Sequence, residues 1–120
     1  MTALVVALVL TAGMVADATG GRLAGGDASR PFAAVSIDSR TLPAGALFVA
    51  LPGGRFDGHT FVDDAITRGA AGALVSRMPV STGDAAIILV KDTLAALQQL
   101  ARDVRRRSHA RVGLQQAAGQ

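Results

Sequence analysis

Four short apolar runs, residues 33–37, 46–51, 73–76 and 86–90, alternate with segments that carry helical periodicity or are built from Gly, Pro and Asp. Strands interleaved with helices predict an α/β domain: a single small domain with a mixed β-sheet flanked by helices. The run 46–51 is apolar at every position, which suits a strand covered on both faces. Pro43 and Gly45 make Leu42-Pro43-Ala44-Gly45 a type I turn ahead of it. In the helix that follows, Thr60 and Asp63 have capping-box spacing, with Asp57 as an alternative cap one turn earlier. Phe61, Val62, Ala65 and Ile66 form one apolar stripe, and Gly69 stands just past the helix end. Asp92 caps a last helix whose inner face is read as Leu94, Leu97, Leu100, Ala101 and Val104.

The N-terminal run Ala3 to Leu10 is continuous, so periodicity does not distinguish a buried strand from a buried helix. No Lys or Arg precedes it, which argues against a signal peptide, and it is shorter than the ~18 to 20 residues that a bilayer span requires. The chain therefore divides into an apolar segment 1–11, a domain 12–112 and a tail 113–120 without periodic apolar positions, and neither membrane insertion nor export is expected.

Composition narrows the chemistry. The 120 residues include no Cys, which excludes disulfide frameworks, thiol catalysis and thiolate zinc sites. With four Phe and neither Trp nor Tyr, the chain lacks the rings of a single-strand nucleic-acid platform. The net charge of +3 is local: Arg102, Arg105, Arg106, Arg107 and Arg111 face only Asp103 in that stretch. Cations near a helix C-terminus complement its dipole, so the cluster needs no nucleic acid to explain it.

Two segments are placed to hold a ligand. Ile37-Asp38-Ser39-Arg40 follows a strand, and ligands of open α/β sheets sit at the carboxyl ends of strands. Arg40 could grip a phosphate with two parallel N–H bonds, and Ser39 could bond a phosphate or a base edge; an exposed turn with Asp38 and Arg40 paired is the plain alternative. Gly53, Gly54, Arg55, Phe56, Asp57, Gly58 and His59 form a glycine-rich link from strand to helix, where backbone can approach an anion closely. This link is neither a Walker A loop nor a dinucleotide fingerprint. His59 and His109 stand fifty residues apart without clustered carboxylates, so no metal site is expected, and no catalytic acid, base or nucleophile constellation assembles.

In order, the chain reads Asp38-Ser39-Arg40, then Pro43 and Gly45, then Leu47-Phe48-Val49-Ala50-Leu51, Gly53, and Asp57-Gly58-His59 with Phe61 beyond. Flanked by residues 14–23 and 90–101, this series resembles the N-terminal domain of the Mur ligases of peptidoglycan synthesis, over about residues 12 to 112. The likeness is to the branch that adds D-alanyl-D-alanine, with the sister branch that adds the third peptide residue as the alternative. A noncatalytic module that kept the fold is the third reading. The resemblance implies a cytoplasmic protein whose partner is a UDP-N-acetylmuramoyl-peptide, held by Ile37, Ser39 and Arg40 and by Gly54, Arg55 and Phe56. It implies further that ATP and Mg²⁺ belong to a central domain and the incoming dipeptide to a C-terminal domain. The complete ligase would form an acyl phosphate on the peptide carboxylate for the dipeptide amine to attack. Where relatives continue into a Gly-Lys-Thr phosphate loop, residues 113–120 carry no lysine, so a truncated chain without cofactor, catalytic residue or metal of its own is expected.

Overall fold

The computed structural model describes residues 3–53, 57–79 and 83–119, with side chains described within 10–53, 57–79 and 83–107. Its elements are β1 (Ala3–Thr11), α1 (Ala12–Thr19), β2 (Arg22–Gly25), β3 (Pro31–Ser36), β4 (Leu47–Val49), a 3-10 turn (Gly58–Phe61), α2 (Val62–Thr67), β5 (Gly72–Val75), β6 (Ala86–Leu89) and α3 (Thr93–Gly119). They build one six-stranded mixed sheet in the order β1-β3-β4-β5-β6-β2. The central strands β3 to β6 run parallel, with Val35 beside Leu47, Leu47 beside Gly72, and Gly72 beside Ala86. The antiparallel strands β1 and β2 close the two edges, on β3 and β6 respectively.

Alternation along each central strand assigns the faces. Leu47, Val49, Leu74 and Ile88 pack with Val15 of α1 and with Ala96 and Leu100 of α3. Phe48, Ala50, Ala73, Val75 and Ile87 point the other way, against Val62 and Ala65 of α2. Because residues 46–50 are all buried, both faces of β4 are covered, as the unbroken apolar run predicts. Each fully buried Leu or Ile contributes about 1.5–3 kcal/mol of transfer free energy, so the central strands dominate the stability of the domain.

Local signals explain the helix ends. Thr11 caps α1 by accepting the Met14 N–H, and Gly20 closes it in the left-handed region at φ 68°. Asp92 caps α3 by accepting the Ala95 N–H, and Gly69 ends α2 at φ 108°, both as expected. The apolar run that opened the chain is a strand, antiparallel to β3, followed directly by α1.

Several details depart from the sequence reading. The reverse turn is displaced by one residue: the Ala46 N–H donates to the Pro43 carbonyl, with Gly45 at φ 82°, the pattern of a type II turn, whose third position needs positive φ. The α-helix begins only at Val62, after a 3-10 turn capped by Asp57 and not by Thr60, and the tighter winding turns Phe61 off the apolar stripe to 39% exposure. In α3, Leu94 is exposed while Thr93 and Ala96 are buried, so the inner face is rotated from the one expected. Strand β2, absent from the sequence reading, is a short edge strand containing glycine, with little alternation to mark it.

Candidate functional site

All four parallel strands deliver their carboxyl ends to one edge of the sheet, and the segments that leave them form its rim. Among the described residues the exposed large apolar side chains are Ile37, Phe61, Met78 and Leu94. Each stands on a segment leaving β3, β4, β5 or β6 by its carboxyl end, so the apolar exposure gathers at the edge where α/β folds bind ligands.

After β3, the buried Ser36 hydroxyl accepts the Asp38 N–H at 3.2 Å and donates to the Asp38 carbonyl at 3.1 Å, which turns the chain sharply. Asp38 then accepts the Arg40 backbone N–H at 2.9 Å and the Arg40 Nε and Nη2 at 3.2 Å each. The Arg40 guanidinium, with its backbone N–H second, holds the Asp38 carboxyl below the usual carboxylate range, and Asp38 in return raises Arg40. This pair occupies only part of the five-donor guanidinium fork, and the Arg40 side chain is 81% exposed. Ile37 is exposed on the same turn, whereas Ser39 is buried at 5%. After Arg68, its side chain helps to hold the Asp64 carboxyl below the usual carboxylate range. The turn therefore presents Ile37 and Arg40 outward and buries Ser39. The other expected contacts, Gly54, Arg55 and Phe56, lie outside the described residues.

The segment entering α2 is tied down twice. The Gly58 N–H donates to the Leu51 carbonyl at 2.7 Å, and a Cβ at Gly58 would fall 2.6 Å from the Leu51 nitrogen, so only glycine fits this approach. Asp57 accepts the His59 backbone N–H at 2.9 Å, lies 2.7 Å from His59 Nδ1, and receives Arg77 Nη1 at 2.9 Å. The His59 N–H, then the His59 ring, then Arg77 hold the Asp57 carboxyl far below the usual range. On its other side the buried His59 ring accepts the backbone N–H of Ser76 at Nε2, at 2.9 Å. Beside this network is a cleft of about 250 Å³ lined by His59, Thr60, Val62, Asp63, Arg77, Met78 and Pro79. Neither Ile37, Ser39 nor Arg40 lines it.

The sequence reading placed His59 in the glycine-rich link and weighed it as a metal ligand, but passed over Ser76 and Arg77. The Asp57-Gly58-His59 spacing was the available signal, since an Asp two residues before a His suits a local turn. No group of three or more potential metal ligands exists among the described residues, and no helix there is long and apolar enough to cross a membrane.

A six-stranded mixed sheet with two helices on one face, one on the other and a rim of Asp-Ser-Arg and Asp-Gly-His turns has the architecture of a Mur ligase N-terminal domain. The profile described as Mur ligase family, catalytic domain, matches residues 31–105, and the chain belongs to that family. It is 44% identical over 103 residues to the UDP-N-acetylmuramoyl-tripeptide–D-alanyl-D-alanine ligase of Escherichia coli (strain K12), covering 86% of this chain and 22% of that one. A UDP-N-acetylmuramoyl-L-alanyl-D-glutamate–2,6-diaminopimelate ligase of Cytophaga hutchinsonii is 40% identical over 70 residues, 57% of this chain and 14% of the relative. Among solved structures, the UDP-N-acetylmuramoylalanyl-D-glutamyl-2,6-diaminopimelate–D-alanyl-D-alanyl ligase of Acinetobacter baumannii superposes with a TM-score of 0.74 at 33% identity, over 86% of this chain and 23% of that chain. The ligase from Thermotoga maritima, solved in complex with ADP, matches with a TM-score of 0.52 at 36% identity, over 57% of this chain and 16% of its own. The chain thus spans about a fifth of the length of these D-alanyl-D-alanine-adding relatives.

Proposed function

We propose that this chain is the substrate-recognition domain of a ligase of peptidoglycan synthesis: it binds the UDP end of a UDP-N-acetylmuramoyl-peptide for the addition of D-alanyl-D-alanine. The observation that carries this reading is the turn after β3, which exposes Ile37 and a partly free Arg40 guanidinium at the carboxyl edge of the parallel strands. Arg40 supplies charge-assisted donors to the diphosphate while it keeps Asp38, and Ile37 supplies apolar contact. Buried Ser39 contributes through its backbone, and the family resemblance adds Gly54, Arg55 and Phe56 to the contact. The complete ligase uses ATP and Mg²⁺ in a separate domain and works in the cytoplasm, where its nucleotide substrates are. Identity of 44% over 103 residues to a dipeptide-adding ligase, against 40% over 80 residues to a sister-branch ligase, favours the dipeptide-adding branch.

The test is an NMR titration of the chain with UDP-N-acetylmuramoyl-tripeptide, UDP-N-acetylmuramoyl-L-alanyl-D-glutamate and UDP alone. Shifts at Ile37, Ser39, Arg40 and the 54–56 loop, strongest with the tripeptide, are expected. Silence at millimolar ligand leaves the noncatalytic module as the reading, and preference for the shorter peptide favours the sister branch.

A further inference from the structure

We propose that His59 is a positioning residue: its ring, held as one tautomer between Asp57 and the backbone of Ser76, latches the segment entering α2 to the end of β5. The proposal rests on the ligand reading above, because Arg55 and Phe56 immediately precede Asp57 in the chain.

The hydrogen bonds dictate the tautomer. A backbone amide only donates, so the Ser76 N–H, 2.9 Å from Nε2, requires a lone pair on that nitrogen. The ring proton therefore sits on Nδ1, where Asp57 Oδ1 accepts it at 2.7 Å. The second carboxylate oxygen of Asp57 takes Arg77 Nη1 at 2.9 Å, so a second tie runs from the same carboxylate back to the end of β5. These bonds join positions 17 and 20 residues apart, and the side chain at their centre is only 5% exposed. The Gly58 N–H bond to the Leu51 carbonyl secures the same segment to the end of β4. Between them, the two ties fix where the α2 segment meets the carboxyl edges of β4 and β5. Neither polar end of the ring is left unpaired, so the latch costs no buried orphan.

A filler role and a positioning role predict different things. If His59 only fills space, replacing it changes stability and leaves ligand affinity of the folded fraction intact. If it positions the rim, half of the latch is not enough. His59→Asn places a carboxamide nitrogen near the Nδ1 position and can still donate to Asp57; His59→Gln places a carboxamide oxygen near Nε2 and can still accept from Ser76. Ser76→Ala removes the hydroxyl that lies 3.1 Å from Nε2 but keeps the backbone donor, so it weighs the side-chain contact apart from the backbone one. Arg77, 60% exposed, can be removed without threatening the fold, so Arg77→Ala reads the second tie alone.

The experiment uses the whole chain, UDP-N-acetylmuramoyl-tripeptide as probe, and two readouts: ring ¹⁵N spectra of the wild type, and affinity by titration beside thermal melts. The latch requires an Nδ1–H signal for His59, a loss of about tenfold in affinity for His59→Asn and His59→Gln, as expected for one lost charge-assisted or buried hydrogen bond, and a smaller loss for Ser76→Ala, which keeps the backbone donor. Arg77→Ala should lose about threefold, the scale of an exposed ion pair, and decides the matter if the His59 variants do not fold. An Nε2–H tautomer, or wild-type affinity in folded His59 or Arg77 variants, overturns the latch while leaving the ligand reading intact. A wild type that does not bind overturns the ligand reading and the latch with it.

Discussion

Phe32 in β3 reaches across β4 to lie against Gly72 in β5, so closely that a Cβ at Gly72 would come within 2.8 Å of the Phe32 Cε1 and 2.5 Å of the Ala86 carbonyl oxygen. Backbone on one side and a buried ring on the other leave nothing free to move aside. Gly72→Ala is expected to destabilise the domain by about 1–3 kcal/mol, the usual cost of overpacking, and urea denaturation measures it. Unchanged stability would mean that the sheet is looser here than the contact implies.

Phe48 and Phe61 should separate cleanly. Phe48 is 1% exposed between β4 and α2, so Phe48→Ala is expected to cost about 3–5 kcal/mol of folding free energy. Phe61, on the exposed rim, should lose only about 1 kcal/mol. Equal losses in chemical denaturation would contradict the rotation imposed by the 3-10 turn.

Arg40→Ala should leave the melting temperature nearly unchanged, because its side chain is 81% exposed and its ion pair with Asp38 is local. Affinity for UDP-N-acetylmuramoyl-tripeptide should fall by about 1.5–3 kcal/mol, the range for hydrogen bonds to a charged group. Calorimetric titration beside a thermal melt reads both, and retained affinity would remove Arg40 from the diphosphate.

Acid should unlock the rim. The carboxyls of Asp57, Asp38 and Asp64 are lowered in the folded chain, so their contribution is present above the ordinary carboxylate value of about 3.9 and is lost as pH falls toward the folded values. Wild type and Asp57→Asn should therefore differ in stability at neutral pH and converge well below pH 4. Melts across that range provide the comparison; a difference that persists undiminished in acid would deny the ionised Asp57 its role.

What local order in the chain determined was substantial. The central strands were legible because a strand buried on both faces is apolar at every position, and Asp92 and Gly69 were legible because caps follow from backbone groups a few residues away. The Asp38-Ser39-Arg40 and Asp57-Gly58-His59 motifs carried the family. Tertiary structure decided what depends on rotation and on distant partners. One 3-10 turn was enough to put Phe61 outside, and the seating of α3 on the sheet chose Ala96 over Leu94 as a buried residue. Ser39, read as a ligand contact, is buried and its side chain bears on Asp64, while His59, considered as a metal ligand and as part of the glycine-rich link, meets the Ser76 backbone 17 residues on. Those pairings were invisible in the sequence because any residue has a backbone N–H to offer; only the parallel placement of β4 beside β5 brings that one N–H to the ring.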